Sequence, residues 1–355
     1  MAIQWYPGHM HKAQKEIKEV LPQVDLLIEV LDARIPFSSE NPAIAKLRGN
    51  KPCIKVLSKS DLADPATTAL WQDYFEREQN VKTLAITTEQ PAKMRSLIDL
   101  CRKMLPEKDA SVKTIHAMIV GIPNVGKSTL INILAGRTIA KTGNEPAVTK
   151  SQQRINLGSG IMLLDTPGIL WPKVENPKSS YRLAATGAIK NTAMEYDDVG
   201  FFTADYLIKA YPERLKERFE LDHIPSTELE FLELAAARRG ALTAGGRFNL
   251  HKICEVLIFE LRSGALGPIT METPAMIEQE LAEVAAAQAE KEALKEERKN
   301  RFKQGSRDAQ ADTQPPAKLD NDATTKKPRG PKKPKADGAA KAAPTSSKRA
   351  PKRRR

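Results

Sequence analysis

Residues 115–129, Ile-His-Ala-Met-Ile-Val-Gly-Ile-Pro-Asn-Val-Gly-Lys-Ser-Thr, constrain this chain more than any other stretch. The apolar run Ile115–Val120 predicts a buried strand. Gly121, Gly126, Lys127 and Ser128 then fit the phosphate-loop spacing G-x-x-x-x-G-K-S. Glycines let the backbone turn sharply and aim its N–H groups at phosphates. Lys127 would reach the β- and γ-phosphates, and the Ser128 hydroxyl would bind Mg²⁺. Ser128–Leu134 reads as a helix, so the phosphates would also meet a helix N-terminus. Strand, loop and helix in this order make a chance match a poor account of the spacing.

The flanking sequence predicts one layered α/β sheet. Val24–Leu31 is nearly continuous apolar and reads as a buried parallel strand, closed by Asp32-Ala33-Arg34-Ile35-Pro36. Cys53–Leu57 is a second strand. A helix over 66–79, a strand over Val81–Thr87 and a helix over Ala92–Met104 follow. Strand and helix alternate, which argues for a doubly wound, mostly parallel sheet. Beyond the phosphate loop, 137–150 reads as a polar loop. Arg154–Leu157 and Ile161–Leu164 form a hairpin around Gly158-Ser159-Gly160. Asp165-Thr166-Pro167-Gly168 closes it. Ahead of the sheet, residues 1–11 read as an irregular arm broken at Pro7-Gly8, with a helix starting at Lys12.

Ser58-Lys59-Ser60-Asp61 is the second informative site. A Lys-x-Asp loop at a strand end suits guanine. The Asp61 carboxylate would accept from the base's N1 and N2 donors, and the Lys59 stem would cover the base plane. Adenine lacks that donor pair, so a buried carboxylate would go unsatisfied. Ser58 stands where such loops usually carry Asn; its shorter side chain predicts weaker ties around the base. Ile86, Thr87 and Thr88, at the next strand end, are placed to back the base with main-chain N–H groups. Asp165 would hold Mg²⁺ through water, Thr149 would add a hydroxyl, and the Gly168 N–H would touch the γ-phosphate.

Composition bounds the rest. The 355 residues allow about two domains. The formal charge is +12, and residues 301–355 alone hold 17 basic and 5 acidic residues. The body is therefore neutral and the whole basic excess is a tail. Three scattered cysteines form no metal pattern and suit a reducing compartment. No apolar stretch approaches the roughly 18 residues of a membrane helix, so a cytoplasmic protein without membrane contact is expected. Domains are expected at 1–177 (sheet and arm), 178–275 (a small all-α bundle), 276–300 (a charged helix) and 301–355 (a disordered Lys/Arg/Pro/Ala-rich tail). In the bundle, Asp205–Tyr211 and Leu229–Ala237 read as helices. Arg247–Leu261 reads as amphipathic, with Leu250, Ile253, Cys254, Leu257, Ile258 and Leu261 on one face.

The order of the motifs is unusual. The base-reading loop precedes the phosphate loop, and D-T-P-G comes last, as in a circularly permuted P-loop GTPase. Trp5-Tyr6-Pro7-Gly8-His9-Met10, Asp32-Ala33-Arg34-Ile35-Pro36 and Gly121–Ser128 together resemble the ribosome biogenesis GTPase A family over about residues 1–275. Ser58 and Ala147 depart from the family pattern. The resemblance implies GTP hydrolysis to GDP, stimulated on the large ribosomal subunit late in its assembly, with the helical region contacting ribosomal RNA. It implies that Val125 and Thr129 join the nucleotide contacts. It also implies K⁺ beside the phosphates at Asn124. Ile169 replaces the water-orienting Gln that usually follows D-T-P-G, and the resemblance offers His9 for that role. His11, His116, His223 and His251 read as ordinary surface or structural histidines. A monomer is expected. Two other classes share parts of this pattern: a P-loop ATPase or kinase, which Asp61 opposes, and a nucleotide-regulated RNA-binding scaffold with little hydrolysis.

The charge placement carries a prediction. A chain ending at residue 300 should bind large-subunit particles with a log–log salt slope shallower by roughly 3–5 units, at about 0.7–0.9 per phosphate engaged. Affinities across a salt series for both lengths check it; equal slopes would leave the tail a solubilising segment.

Overall fold

The computed structural model describes residues 3, 5–108, 114–140, 152–158 and 160–311. The expected polar loop beyond residue 140 and the tail beyond 311 lie outside them. Residues up to Ala293 form one compact unit, and those from Leu294 form a second.

Helix α1 (Gly8–Val20) precedes strand β1 (Leu26–Asp32). The short helices α2 (Pro36–Ser39) and α3 (Pro42–Arg48) lead to β2 (Cys53–Ser58). Then come α4 (Pro65–Phe75), β3 (Val81–Ala85), α5 (Pro91–Met104), β4 (Ile115–Gly121) and α6 (Lys127–Ala135). The hairpin β5 (Gln153–Asn156) and β6 (Ile161–Asp165) completes a six-stranded sheet ordered β3-β2-β1-β4-β6-β5. All pairs are parallel except the edge pair β5–β6. Every residue of β1 and β2 is buried, as expected of central strands covered on both faces. The edge strand β5 exposes Arg154 and Asn156. The architecture is the expected doubly wound α/β sheet.

Helices follow: α7 (Pro177–Ala185), α8 (Tyr196–Ala210), α9 (Pro212–Phe219), α10 (Glu228–Arg238), α11 (Leu250–Ser263) and α12 (Pro274–Ala311). Seven helices open on proline, whose fixed φ suits the first turn and whose missing N–H costs nothing there. Asn41, Asp64, Asn176, Thr227 and Asn249 cap α3, α4, α7, α10 and α11. The predicted stripe of α11 is buried at Ile253, Cys254, Leu257, Ile258 and Leu261.

Several boundaries differ from expectation. Helix α1 starts at Gly8, not Lys12. Pro7 tolerates the position before a first turn, and Met10, Ala13 and Ile17 bury one face. Helix α8 begins nine residues before Asp205, because Val199, Gly200 and Thr203 continue its buried face. Helix α12 runs past residue 300 to Ala311, through a stretch rich in helix-forming Arg, Lys, Gln and Ala. No helix among the described residues is long and apolar enough to cross a membrane.

The sheet and the helices up to α11 are joined by buried polar contacts. The chain returning after α11 lays its Met271 N–H on the Arg34 carbonyl (2.7 Å) and its Ile269 N–H on Leu62 (2.9 Å). Glu272 is buried; it accepts from the Ser38 N–H (2.8 Å) and the Ser38 hydroxyl. Arg182 of α7 lies 3.5 Å from Glu272 and forks onto Glu280 at 2.9 and 2.6 Å. Breaking a buried pair strands the remaining charges. Arg182→Ala should therefore cost about 3–5 kcal/mol of stability, measured by equilibrium chemical denaturation; a loss under 1 kcal/mol would show that the carboxylates find water instead.

Candidate functional site

Strands β1, β2, β4 and β6 are parallel neighbours, so their C-terminal ends share one edge of the sheet. Register aligns Asp32 with Ser58, Val30 with Gly121 and Ile119 with Asp165. The loops that follow, 33–36, 59–61, 122–126 and 166–168, therefore lie side by side. That edge is where open α/β sheets bind ligands.

In the phosphate loop, Gly126 takes φ 94°, which a side chain rarely allows, and hands over to α6 at Lys127. Val125 is buried; Ser128 and Thr129 are half-buried in the first turn of α6. Lys127 is buried, donates to the Thr166 carbonyl and lies 3.5 Å from Asp165 Oδ1. Burial lowers the proton affinity of Lys127 and raises that of Asp165, in each case beyond what the other offsets. Neither charge is well served by the pair alone. Asp165 Oδ2 is buried with no hydrogen-bond partner among the described residues. A hydrated divalent cation would satisfy that oxygen, so the donor set fits Mg²⁺. A Cβ at Gly168 would come 3.1 Å from the Cα and N of Pro123, tighter than ordinary contact, so glycine lets D-T-P-G lie against the phosphate loop without pushing that backbone away. The Ile169 N–H continues that contact, donating to the Gly121 carbonyl at 3.1 Å. Ile169 itself is buried and faces the core.

The base-reading loop departs from expectation in three ways. Ser58 does tie loops together. Its buried hydroxyl lies 2.8 Å from the Leu31 carbonyl and 2.5 Å from the Val125 carbonyl of the phosphate loop. Direct approach to main chain replaces the longer reach of Asn. Ile86 cannot offer its N–H to a base, because it donates to Leu57 at 2.8 Å while its carbonyl accepts from Ser60 at 3.1 Å. Ile86 shapes the loop, and Thr87, buried at the strand end with its Oγ1 accepting from the Glu89 N–H, stands next to it. Asp61 is exposed, so its desolvation would arise only as a base arrives.

Lys59 takes φ 54° and donates to Asp32 Oδ2 at 2.8 Å. Asp32 also accepts from Arg34 Nε (2.9 Å) and Nη2 (2.8 Å). In the sequence Asp32 and Arg34 stand at the end of a strand and in one of the motifs that carry the family resemblance, with no pairing assigned to them. The signal that could have found them was an acid and a base two residues apart where a buried strand stops.

His9 is exposed in the first turn of α1, not on an irregular arm. Its neighbour Met10 is fully buried, and the Met10 sulfur accepts from the Leu170 N–H at 3.4 Å. The start of α1 is thus docked two residues beyond Gly168. Asn124 takes φ 58° and donates its Nδ2 to the Gly187 carbonyl at 2.9 Å, outside the phosphate loop. Thr149 lies outside the described residues.

Residues 116–226 match the family described as 50S ribosome-binding GTPase. The chain is 46% identical over 281 residues to the ribosome biogenesis GTPase A of Bacillus pumilus, covering 77% of this chain and 99% of the relative. It is 31% identical over 272 residues to that of Thermotoga maritima, covering 77% and 95%. The crystal structure of GNP-bound YlqF from T. maritima superposes with a TM-score of 0.52 at 28% identity, covering 74% of this chain and 98% of that one. A permuted set of nucleotide loops on one sheet edge, and relatives matched almost end to end, lead to one conclusion: the chain belongs to the ribosome biogenesis GTPase A family and is a GTP hydrolase.

Proposed function

We propose that this GTPase binds the large ribosomal subunit late in its assembly, in the cytoplasm, and hydrolyses GTP there in a subunit-stimulated way. The observation that carries the nucleotide part is the convergence of 59–61, 122–126 and 165–168 on one sheet edge. The names of the relatives carry the ribosomal part. Helices α7–α11 are the region we assign to ribosomal RNA, with the basic tail adding sequence-independent attraction to phosphates. Co-sedimentation with large-subunit particles in GDP and in a non-hydrolysable GTP analogue tests the reading. Equal recovery in both states, or none in either, would count against it.

Guanine recognition falls to Asp61 as acceptor and to Lys59 over the base, with Ser58, Ser60 and Thr87 holding the loop. The triphosphate falls to the backbone of 124–129 and to Lys127, whose buried ammonium gains a better counter-ion than the Thr166 carbonyl. The Gly168 N–H is assigned to the γ-phosphate. Ser128, Asp165 and Thr149 are assigned to Mg²⁺, which when bound neutralises charge on the β- and γ-oxygens. K⁺ is assigned to Asn124 on family resemblance. His9 is assigned to orient the attacking water. Its support is negative and positive: Ile169 is committed to the core, while Met10 docks the first turn of α1 beside the segment after D-T-P-G.

Two outcomes follow. Losing hydrogen bonds to a charged acceptor costs about 1.5–3 kcal/mol, so Asp61→Asn should weaken GTP binding roughly ten- to a hundredfold and shift preference to xanthosine nucleotide. Fluorescent-nucleotide titration checks it, and unchanged GTP affinity would remove Asp61 from the base site. His9→Ala should slow subunit-stimulated turnover by roughly 10²–10⁴-fold, the range of a positioned acid–base group, with GTP affinity barely changed. Single-turnover rates equal to wild type would assign the water to another group.

A further inference from the structure

Helix α7 ends at Ala185, where the flanking backbone caps part of the end: the Gly187 N–H donates to the Ala184 carbonyl (3.1 Å) and the Ala188 N–H to that of Leu183 (2.9 Å). Four successive carbonyls there are each met by a side chain from elsewhere in the fold. Arg262 of α11 donates Nη2 to Ala184 (2.7 Å) and Nε to Ala185 (2.8 Å). Arg34 donates Nη2 to Thr186 at 3.5 Å. Asn124 donates Nδ2 to Gly187 at 2.9 Å. Buried carbonyls need partners, and Ala184, Ala185 and Thr186 are buried. The flanking backbone reaches Leu183 and Ala184 but not the Ala185, Thr186 and Gly187 carbonyls, which these side chains meet. Here two of the four donors come from the nucleotide-facing edge: Asn124 from the phosphate loop, and Arg34 from beside the base-reading loop.

We propose that the turn Ala184–Gly187 is the point at which occupancy of both ends of the nucleotide site is passed to the helical region. This rests on the guanine-nucleotide reading of the site. On the phosphate side the link is one hydrogen bond, since Asn124 lies in the loop that closes on phosphates, two residues before Gly126. On the base side the link has two steps. Lys59 and Arg34 Nη2 share one oxygen of Asp32, each at 2.8 Å. Moving Lys59 over a base changes the charge that Arg34 must balance. The Arg34–Thr186 contact, at the outer limit for a hydrogen bond, is the one with room to tighten. Beyond the turn the path continues through rigid elements. Arg262 belongs to α11 and also reaches Asn191 Oδ1 at 3.1 Å. Two discrete arrangements of such a contiguous set of bonds can bias a distant surface. A helical region held only by packing would gain nothing from placing its cap donors in these loops.

Amide exchange of the full chain, read by mass spectrometry, tests this without ribosomes. Thr186, Gly187 and Ala188 donate back to Arg182, Ala184 and Leu183, so their exchange reports the turn directly. GTP analogue should slow exchange over 186–189 by about tenfold relative to nucleotide-free protein, within the usual 5–150-fold range of site coupling. ATP should leave it unchanged. Arg262→Gln should reduce that nucleotide-dependent change to under threefold, while nucleotide affinity and basal hydrolysis stay within about twofold of wild type. Arg262→Lys, which keeps the charge but loses the fork, replaces it if the first variant melts early. Guanine-nucleotide binding with unchanged exchange at 186–189, or a full change persisting in the Arg262 variant, would overturn the proposal alone. Absence of guanine-nucleotide binding would overturn the site reading and this proposal with it.

Discussion

One carboxylate at the end of β1 organises the nucleotide-facing half of the molecule. Asp32 is buried, and its two oxygens accept from the Arg34 backbone and guanidinium and from Lys59. Burial by itself would raise the proton affinity of this carboxyl; the Arg34 and Lys59 charges outweigh it and hold the group well below the usual carboxylate range. Taking either cation from a buried anion leaves charge that the remaining partner must balance. Lys59 reaches this acid from a left-handed backbone conformation, and Arg34 reaches past it to the Thr186 and Leu261 carbonyls. The loop after β2 and the helical region are therefore linked through the same acid and its Arg34 partner.

A second buried set, Ser38, Arg182, Glu272 and Glu280, sits where the chain returns from α11. Burial raises the proton affinity of Glu272, while for Glu280 the Arg182 fork more than offsets burial and lowers it. Trp71 of α4 adds its indole N–H to the Glu272 carbonyl at 3.0 Å. These contacts explain why a sheet and a set of helices that differ in architecture share one compact unit. The chain leaves the sheet after D-T-P-G and comes back along α2, where Glu272 meets Ser38 and Met271 meets Arg34.

The phosphate loop shows the complementary principle of charge held in reserve. Lys127 and Asp165 are both buried and are 3.5 Å apart, and burial works against the charge on each. Such a pair gains when a polyanion and a divalent cation arrive, because each charge then acquires a closer opposite. Ser58 and Gly168 keep the three loops in register while that happens, one by a shared hydroxyl and the other by having no side chain.

Much of this was legible in the residues alone, for a physical reason. A phosphate loop is local chemistry: glycines, lysine and serine at set spacing do their work through adjacent backbone. Short, nearly continuous apolar runs bounded by turn residues suit strands buried on two faces, so Val24–Leu31 and Cys53–Leu57 announced the centre of the sheet. The motif order announced the permutation. Tertiary structure alone decided what pairs over distance. Arg34 reaches Thr186 and Leu261, which lie 152 and 227 residues away. No local pattern specifies such partners, because they follow from which loop end lands beside which helix end. The same holds for Ser58 on Val125, for the Ile86 N–H spent on Leu57, and for Asn124 on Gly187. The start of α1 at Gly8 was hidden because Pro-Gly reads as a break until Met10 has a core to enter. Backbone turns and burial are written in short stretches of sequence; the satisfaction of buried charges and carbonyls is settled only when the layers close.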